Sequence, residues 1–444
     1  MSRRYWNEEI ETLGPAALRR LEGERLAEQI AYEHATSPYY QAKLDAVGVR
    51  PGDIRSVEDL QRIPFMEKRE IADSQADGTL LGINQCAPLD RIIRIQATGG
   101  TTGQPMRIGL TRRDTADYGE MGARALWAMG CRPGDVVFEC MNFNLYSGGV
   151  SDQTTFETLG AATVPFGVGN SERLLTMMAS LNGELGIWAT PSYAVRLGEV
   201  AKGLGIEPRS LRLTKGYFSG EAGMQVPGYR EKIQDIWGMV ARDQYGTGEL
   251  GLHSGECEQQ NGVHFGGTGF AVAELIDPDT GAVLPFIDGA QGEVVYTSIR
   301  REAGPLLRMR SHDLMQVFTE PCSCGRTSFR FRILGRSDDM FIVKGVNVFP
   351  LSVQAVILKL APRLTGEFRV VLDRPPPIDY AVPVTVEVAR EVPEAAHAAL
   401  RREVVAALQK EVNFTAEVTL VPPGSIATEK KTRRVVRSYR GETV

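Results

Sequence analysis

The densest chemistry in the chain lies at Gln96-Ala97-Thr98-Gly99-Gly100-Thr101-Thr102-Gly103-Gln104-Pro105, directly after the β-like run 91–95. The three glycines free the backbone to curl with its N–H groups inward, and three threonine hydroxyls add donors, a lining suited to a polyphosphate. It is not a Walker A loop, because G-x-x-x-x-G-K-[ST] is unmatched and Met106 follows the proline. A flexible turn between strands would have the same composition. A second chemical set is Cys257 and His264, separated by six residues, with Cys322-Ser323-Cys324 much later in the chain. Three thiolates and one imidazole suit a closed, structural tetrahedral zinc site, with His253 competing for the fourth place and reduced free cysteines as the other reading. Near the C-terminus, Glu429-Lys430-Lys431-Thr432-Arg433-Arg434-Val435 reads by itself as a solvated basic tail.

The elements that must position these groups follow from periodicity. Apolar residues at three- and four-residue spacing predict a helix over 15–46. Beyond residue 92, short β-branched runs at 136–138, 162–164, 186–188 and 211–213 alternate with helix-length segments such as 171–182, 191–204 and 226–239. That alternation implies a mostly parallel, buried sheet in an α/β body. After 267 strand runs follow one another without helices (270–276, 293–298, 306–309), which predicts an antiparallel or barrel-like subdomain over about 267–335. From Asp338 the order becomes strand 340–343, helix 350–362, strands 366–372 and 382–388, helix 393–412, strand 415–421, a small α+β domain.

Composition bounds the function. The chain has 444 residues, 43% hydrophobic and 24% charged, which excludes a disordered or collagen-like protein. With 50 basic against 55 acidic residues it offers no polycation for a nucleic acid, so small molecules are the expected partners. No apolar leader follows the N-terminus and no run of about 18 apolar residues occurs, which predicts a cytoplasmic protein without a membrane partner. Six cysteines are too sparse for a secreted disulfide framework. Cys86, Cys131 and Cys140 sit in apolar runs and read as core, and His34 and His397 as unexceptional helical residues.

Taken with other motifs, the Gly/Thr loop resembles the phosphate loop of the adenylate-forming superfamily, and within it the phenylacetate–CoA ligase branch. Gly220-Glu221-Ala222 resembles the adenine-contacting motif, and Tyr245-Gly246-Thr247-Gly248-Glu249 the family's Tyr-Gly-x-Ser/Thr-Glu. Arg310-Ser311-His312-Asp313 stands where that branch has Arg-Thr-Gly-Asp, and Gly335-Arg336-Ser337-Asp338 opens its most distinctive stretch, ending at Phe349-Pro350. The resemblance implies an adenylate-forming fold: a large α/β domain over 1–337 and a small mobile domain over 338–444. It implies two half-reactions. A carboxylate attacks the α-phosphorus of ATP, releasing pyrophosphate, and the thiol of CoA then displaces AMP to give a thioester.

Roles carried over by the resemblance place ATP at Thr98, Gly99, Gly100, Thr101, Thr102, Gly103, Gly220, Glu221, Ala222, Tyr245, Gly246, Thr247, Asp313 and Arg336. Glu249 is the implied Mg²⁺ ligand, Asp313 the ribose anchor and Asp338 the hinge. The family's hydroxyl directly precedes its glutamate, whereas here Gly248 does and Thr247 comes one place earlier. The catalytic lysine falls on Lys431, with Lys430 as the alternative. The carboxylate pocket falls on Met141, Phe143, Tyr146, Ser219 and Gly220, with an aromatic acid as the implied substrate; Met141 stands where an aromatic residue is common, which suggests a wider or differently shaped acyl group. Asn142 and Asn144 are candidates to bond a ring substituent. A homodimer is implied too. Loading of a carrier-protein thiol, and a non-catalytic nucleotide- or zinc-binding regulator, stay open as alternatives.

Overall fold

Pro38 divides what the apolar spacing predicts as one helix over 15–46. In the computed structural model, which describes residues 3–98, 105–344, 346–426 and 434–442, two helices occur, Pro15–Thr36 and Pro38–Asp45. The proline has no N–H to donate and forces Ser37 into extended backbone (φ −127°, ψ 117°). The chain forms two compact units: Met1–Glu221 with Ile233–Arg332, and Ala222–Lys232 with Ile333–Val444.

In the first unit β1 (Ile92–Ala97) and β2 (Arg107–Thr111) form an antiparallel ribbon that sets Ala97 opposite Arg107. The strands β3 (Val136–Glu139), β4 (Ala162–Pro165), β5 (Leu185–Ala189), β6 (Leu213–Phe218) and β7 (Val240–Thr247) are parallel, and helices lie between successive strands. All five residues of β5 are buried, as expected of a strand covered on both faces. The run 211–213 is only the approach to β6: Pro208–Leu211 is a 3-10 turn and Arg212 takes a left-handed φ of 55° before the strand begins.

The antiparallel expectation after 267 holds, but not as a separate barrel. β8 (Gly251–Glu256), β9 (Val263–Phe265), β10 (Ala271–Ile276), β11 (Gln291–Ser298), β12 (Met309–Phe318) and β13 (Arg330–Arg336) extend the parallel strands into one eleven-stranded sheet, ordered β10-β11-β12-β13-β9-β8-β7-β6-β5-β3-β4. The change of direction comes at β7, which pairs parallel to β6 and antiparallel to β8. Of the run 306–309, residues 306–308 form a loop and Met309 opens β12.

The second unit has a four-stranded sheet in the order Ala416–Val421, Val382–Val388, Leu364–Leu372, Val435–Arg437, with helices Pro350–Lys359 and Glu394–Glu411. Burial alternates strictly along Leu364–Leu372, so one face carries the core with Val353, Ile357, Leu400, Val404 and Phe414. Among the described residues no helix is long and apolar enough to cross a membrane.

Candidate functional site

Of the expected phosphate loop, Thr98 is described and Gly99, Gly100, Thr101, Thr102 and Gly103 lie outside the described residues, as do Lys430 and Lys431. Thr98 ends the ribbon: its N–H donates to the Met106 carbonyl at 3.0 Å, and its buried Oγ1 has no hydrogen-bond partner among the described residues. It lies against the turn that follows β7. A Cβ placed on Gly248 would stand 2.7 Å from Thr98 Cγ2, so the small residue is a steric requirement of this contact. Thr247 turns its hydroxyl inward, where Oγ1 accepts from Leu250 N at 3.1 Å and closes the turn.

Glu249 follows on that turn. Its backbone carbonyl accepts from the Tyr118 hydroxyl and from Arg301 Nη1, which fixes the main chain, and its carboxylate meets Lys68 Nζ at 2.7 Å. The Glu249 side chain is 13% exposed, so this pair is less screened than a surface pair. A carboxylate so held is a suitable ligand for a divalent cation that also binds phosphate oxygens.

Lys68 belongs to a segment that sequence reasoning missed. Met66 bridges to β12 by exchanging backbone hydrogen bonds with Arg308 and Arg310. Glu67 Oε2 lies 2.9 Å from His312 Nε2, and Lys68 starts the helix Lys68–Ser74. The short segment from Met66 to Lys68 therefore joins the strand bearing Asp313 to the carboxylate of Glu249. Nothing in a mixed run such as Met66-Glu67-Lys68-Arg69-Glu70 signals this.

Asp313 and Tyr245 are brought together. The tyrosine hydroxyl donates to Asp313 Oδ2 at 2.5 Å, and the ring is held edge-on by His253 and Phe331, at centroid distances of 5.3 and 5.2 Å. Burial and the adjacent carboxylate push the Tyr245 phenol well above its ordinary range, so it acts as a donor. His312 has φ 61°, the left-handed conformation glycine adopts freely, at the place where the resembling family carries glycine. In the second unit Arg336 forks onto Asp338 at 2.9 and 2.8 Å.

Around the expected acyl pocket, the segment after β3 returns to β1: Ala97 N donates to Leu145 O at 2.7 Å, and Tyr146 precedes the helix Ser147–Leu159. A Cβ at Gly148 would meet Met141 Cε at 3.6 Å, and one at Gly220 would meet the same methyl at 3.9 Å. Met141 thus lies between two bare backbone stretches. Phe143 Cδ2 faces Gly167 at 3.6 Å from where its Cβ would be. Asn142 Oδ1 accepts from Asn144 N at 2.9 Å, which commits that oxygen to a local turn. Ser219 N donates to Ala189 O, and Glu221 accepts from Ser192 N and Oγ at the start of helix Pro191–Gly203.

Cys257, His264, Cys322 and Cys324 converge, all buried, with their ligand atoms within 4.8 Å of one another. Cys257 Sγ and Cys322 Sγ are 3.7 Å apart, and Cys324 Sγ and His264 Nε2 3.3 Å. Zinc–sulfur bonds of about 2.3 Å at a tetrahedral angle put two sulfurs about 3.8 Å apart, so the donor set fits that ion. A sulfur pair at 3.7 Å is not a disulfide. His253 is not part of the set: its Nδ1 meets Ser254 Oγ at 2.9 Å, and its ring packs among Tyr245, Phe265 and Tyr296. Cys86, Cys131 and Cys140 are buried core residues.

The AMP-binding enzyme C-terminal domain family matches residues 345–438. The phenylacetate-coenzyme A ligase of Thermus thermophilus is 36% identical over 96% of this chain and 98% of that protein, and that of Aromatoleum evansii 32% over 97% and 96%. The crystal structure of 2-hydroxyisobutyryl-CoA ligase in the postadenylation state in complex with 2-HIB-AMP superposes with a TM-score of 0.90 at 32% identity, covering 99% of this chain and 94% of that one. The fold is that of the adenylate-forming enzymes, and the chain belongs to the phenylacetate–CoA ligase family of AMP-forming acid–thiol ligases.

Proposed function

We propose that this acyl-CoA ligase of the adenylate-forming class takes an aromatic or arylacetic acid, joins its carboxylate to the α-phosphorus of ATP with loss of pyrophosphate, and passes the acyl group to the thiol of CoA with loss of AMP. ATP and CoA are what the family implies. The observation that carries the reading is the contact of Thr98, at the mouth of the Gly/Thr loop, with the turn that bears Glu249. Glu249 would hold Mg²⁺, which when bound neutralises charge on the phosphates. The Tyr245–Asp313 pair would receive the nucleoside, Asp313 keeping lone pairs for ribose hydroxyls beside the tyrosine bond. Lys431, or Lys430, would reach the α-phosphate from the small domain, 338–444, with Asp338 as hinge. The Cys257–His264–Cys322–Cys324 set would hold a structural zinc.

The apolar wall formed by Met141 between Gly148 and Gly220, with Phe143 and Tyr146 close in sequence, supports a flat ring as the acyl group. A small hydroxy acid is the second reading, favoured by the likeness to 2-hydroxyisobutyryl-CoA ligase. Pyrophosphate release and CoA thioester formation, scored on a panel of aryl, arylacetic and short hydroxy acids, separate the two. Thioester formed from aryl acids is the expected result, and no acid-dependent pyrophosphate release from any of them overturns the proposal. Lys431→Ala should abolish adenylation while sparing thioester formation from supplied acyl-adenylate; if Lys430→Ala alone does so, the role belongs to Lys430.

A further inference from the structure

We infer that Glu139 and Asp152 form a polar anchor in the wall of the acyl pocket, and that the preferred substrate is an aryl acid carrying a hydrogen-bond-donating substituent, an amino or hydroxyl group. This rests on the ligase reading above and names its substrate class.

Glu139 closes β3 at the carboxyl edge of the parallel strands, the edge at which such sheets bind ligands. It is 0% exposed, and neither carboxylate oxygen has a hydrogen-bond partner among the described residues. Its register partner on β5 is Trp188, so both side chains leave the sheet on one face. Trp188 Nε1 donates at 3.0 Å to Oδ2 of Asp152, which the helix Ser147–Leu159 places over that face. Asp152 is 4% exposed, and neither acid forms an ion pair among the described residues. Asp152 thus holds the indole donor, and Glu139 on the same face is left without one among the described residues.

Asp152 borders the pocket through a missing side chain, with Glu139 behind it on the same face of the sheet. A Cβ at Gly148 would lie 3.8 Å from Asp152 Oδ2 and 3.6 Å from Met141 Cε, so a ligand against Gly148 touches both the apolar wall and the acid. A buried carboxyl group without a partner is costly, and an apolar residue would fill the same space at lower cost if packing were the only demand. A donor on the substrate removes the deficit. Burial pushes Asp152 up to about 7, and burial with the neighbouring Asp152 pushes Glu139 up to about 9, so the pair retains a proton at neutral pH and accepts a neutral donor as well as a cation.

The test measures kcat/KM for acid-dependent pyrophosphate release with benzoate and phenylacetate and their ring isomers carrying amino, hydroxyl or methoxy groups. The expected result is that at least one amino or hydroxyl isomer exceeds both its methoxy counterpart and the unsubstituted acid by about tenfold or more. That ratio should fall about fivefold or more in Glu139→Met, with Glu139→Gln between the two. The amino and hydroxyl arms identify which donor is read. Equal rates for donor-bearing and unsubstituted acids in the wild type overturn the inference without any variant, as does a ratio unchanged in both variants. Failure of every acid to release pyrophosphate overturns the ligase reading itself, and this inference with it.

Discussion

Thr98 and Gly248 touch so closely that a β-carbon on Gly248 would stand 2.7 Å from Thr98 Cγ2 and 3.1 Å from Thr98 Cβ. The strand that opens the Gly/Thr loop is thereby seated on the turn that presents Glu249. A hydroxyl residue at 248, as the family pattern has, could enter only by moving one of the two. Gly248→Ser should therefore destabilise the protein by about 1–3 kcal/mol and lower acid-dependent ATP–pyrophosphate exchange. Adding Thr98→Ser, which removes Cγ2, should restore part of both. Thermal melting and exchange assays on the three variants form a cycle; additive losses would show that the contact does not couple loop and turn.

The Lys68–Glu249 pair makes a prediction about metal. A 2.7 Å ammonium competes with Mg²⁺ for the carboxylate. Lys68→Met should lower the Mg²⁺ concentration needed for half-maximal pyrophosphate exchange, while Glu249→Gln should cut exchange on the order of a hundredfold. If Lys68→Met instead raises the Mg²⁺ requirement, the lysine assists the metal and the competition is disproved.

Legibility of these features in the sequence followed their range along the chain. The α/β alternation, the C-terminal strand–helix order and the convergence of Cys257, His264, Cys322 and Cys324 were readable because each depends on local periodicity or on residue types with few other uses. The continuity of the eleven-stranded sheet was not, since strand pairing across β13 and β9 has no local signature. Lys68 was invisible for the same reason: its partner lies far along the chain, and a lysine at a helix start is ordinary. Glu139 and Asp152 were hidden by their own strand and helix, where burial, not residue type, makes them unusual. His253 and His264 looked equivalent because both lie in short buried strands, and side-chain direction separates them.

Zinc occupancy is directly measurable. Purified protein should carry about one zinc per chain by elemental analysis. Cys322→Ser should lose most of it and lower the melting temperature, and a strong chelator should do the same to the wild type, because the site ties the turn after β8 to the loop holding Cys322 and Cys324. Acid preference should be unaffected in whatever protein remains folded. Metal-free wild type of unchanged stability would remove the zinc assignment and leave four reduced buried side chains.

The buried acids give stability a direction with pH. Glu139 is pushed up to about 9 and Asp152 to about 7, both chiefly by burial, while in the unfolded chain each releases its proton near the ordinary carboxyl value of about 4. Above about pH 4 the folded state then binds more protons than the unfolded state, so the stability these groups confer is complete below that pH and is lost as pH rises toward 9. Glu22, pushed to about 7, and Glu33, pushed well above its usual range, act in the same sense. The difference between wild type and Glu139→Gln isolates the one carboxyl group, since the amide keeps the shape and removes the titration. The variant should melt higher than the wild type at pH 8.5, with the gap narrowing by pH 6 and closing only near pH 4, where the unfolded chain keeps the proton as well. Melting curves that stay parallel from pH 6 to 8.5 would mean that Glu139 holds no more proton in the fold than in the unfolded chain.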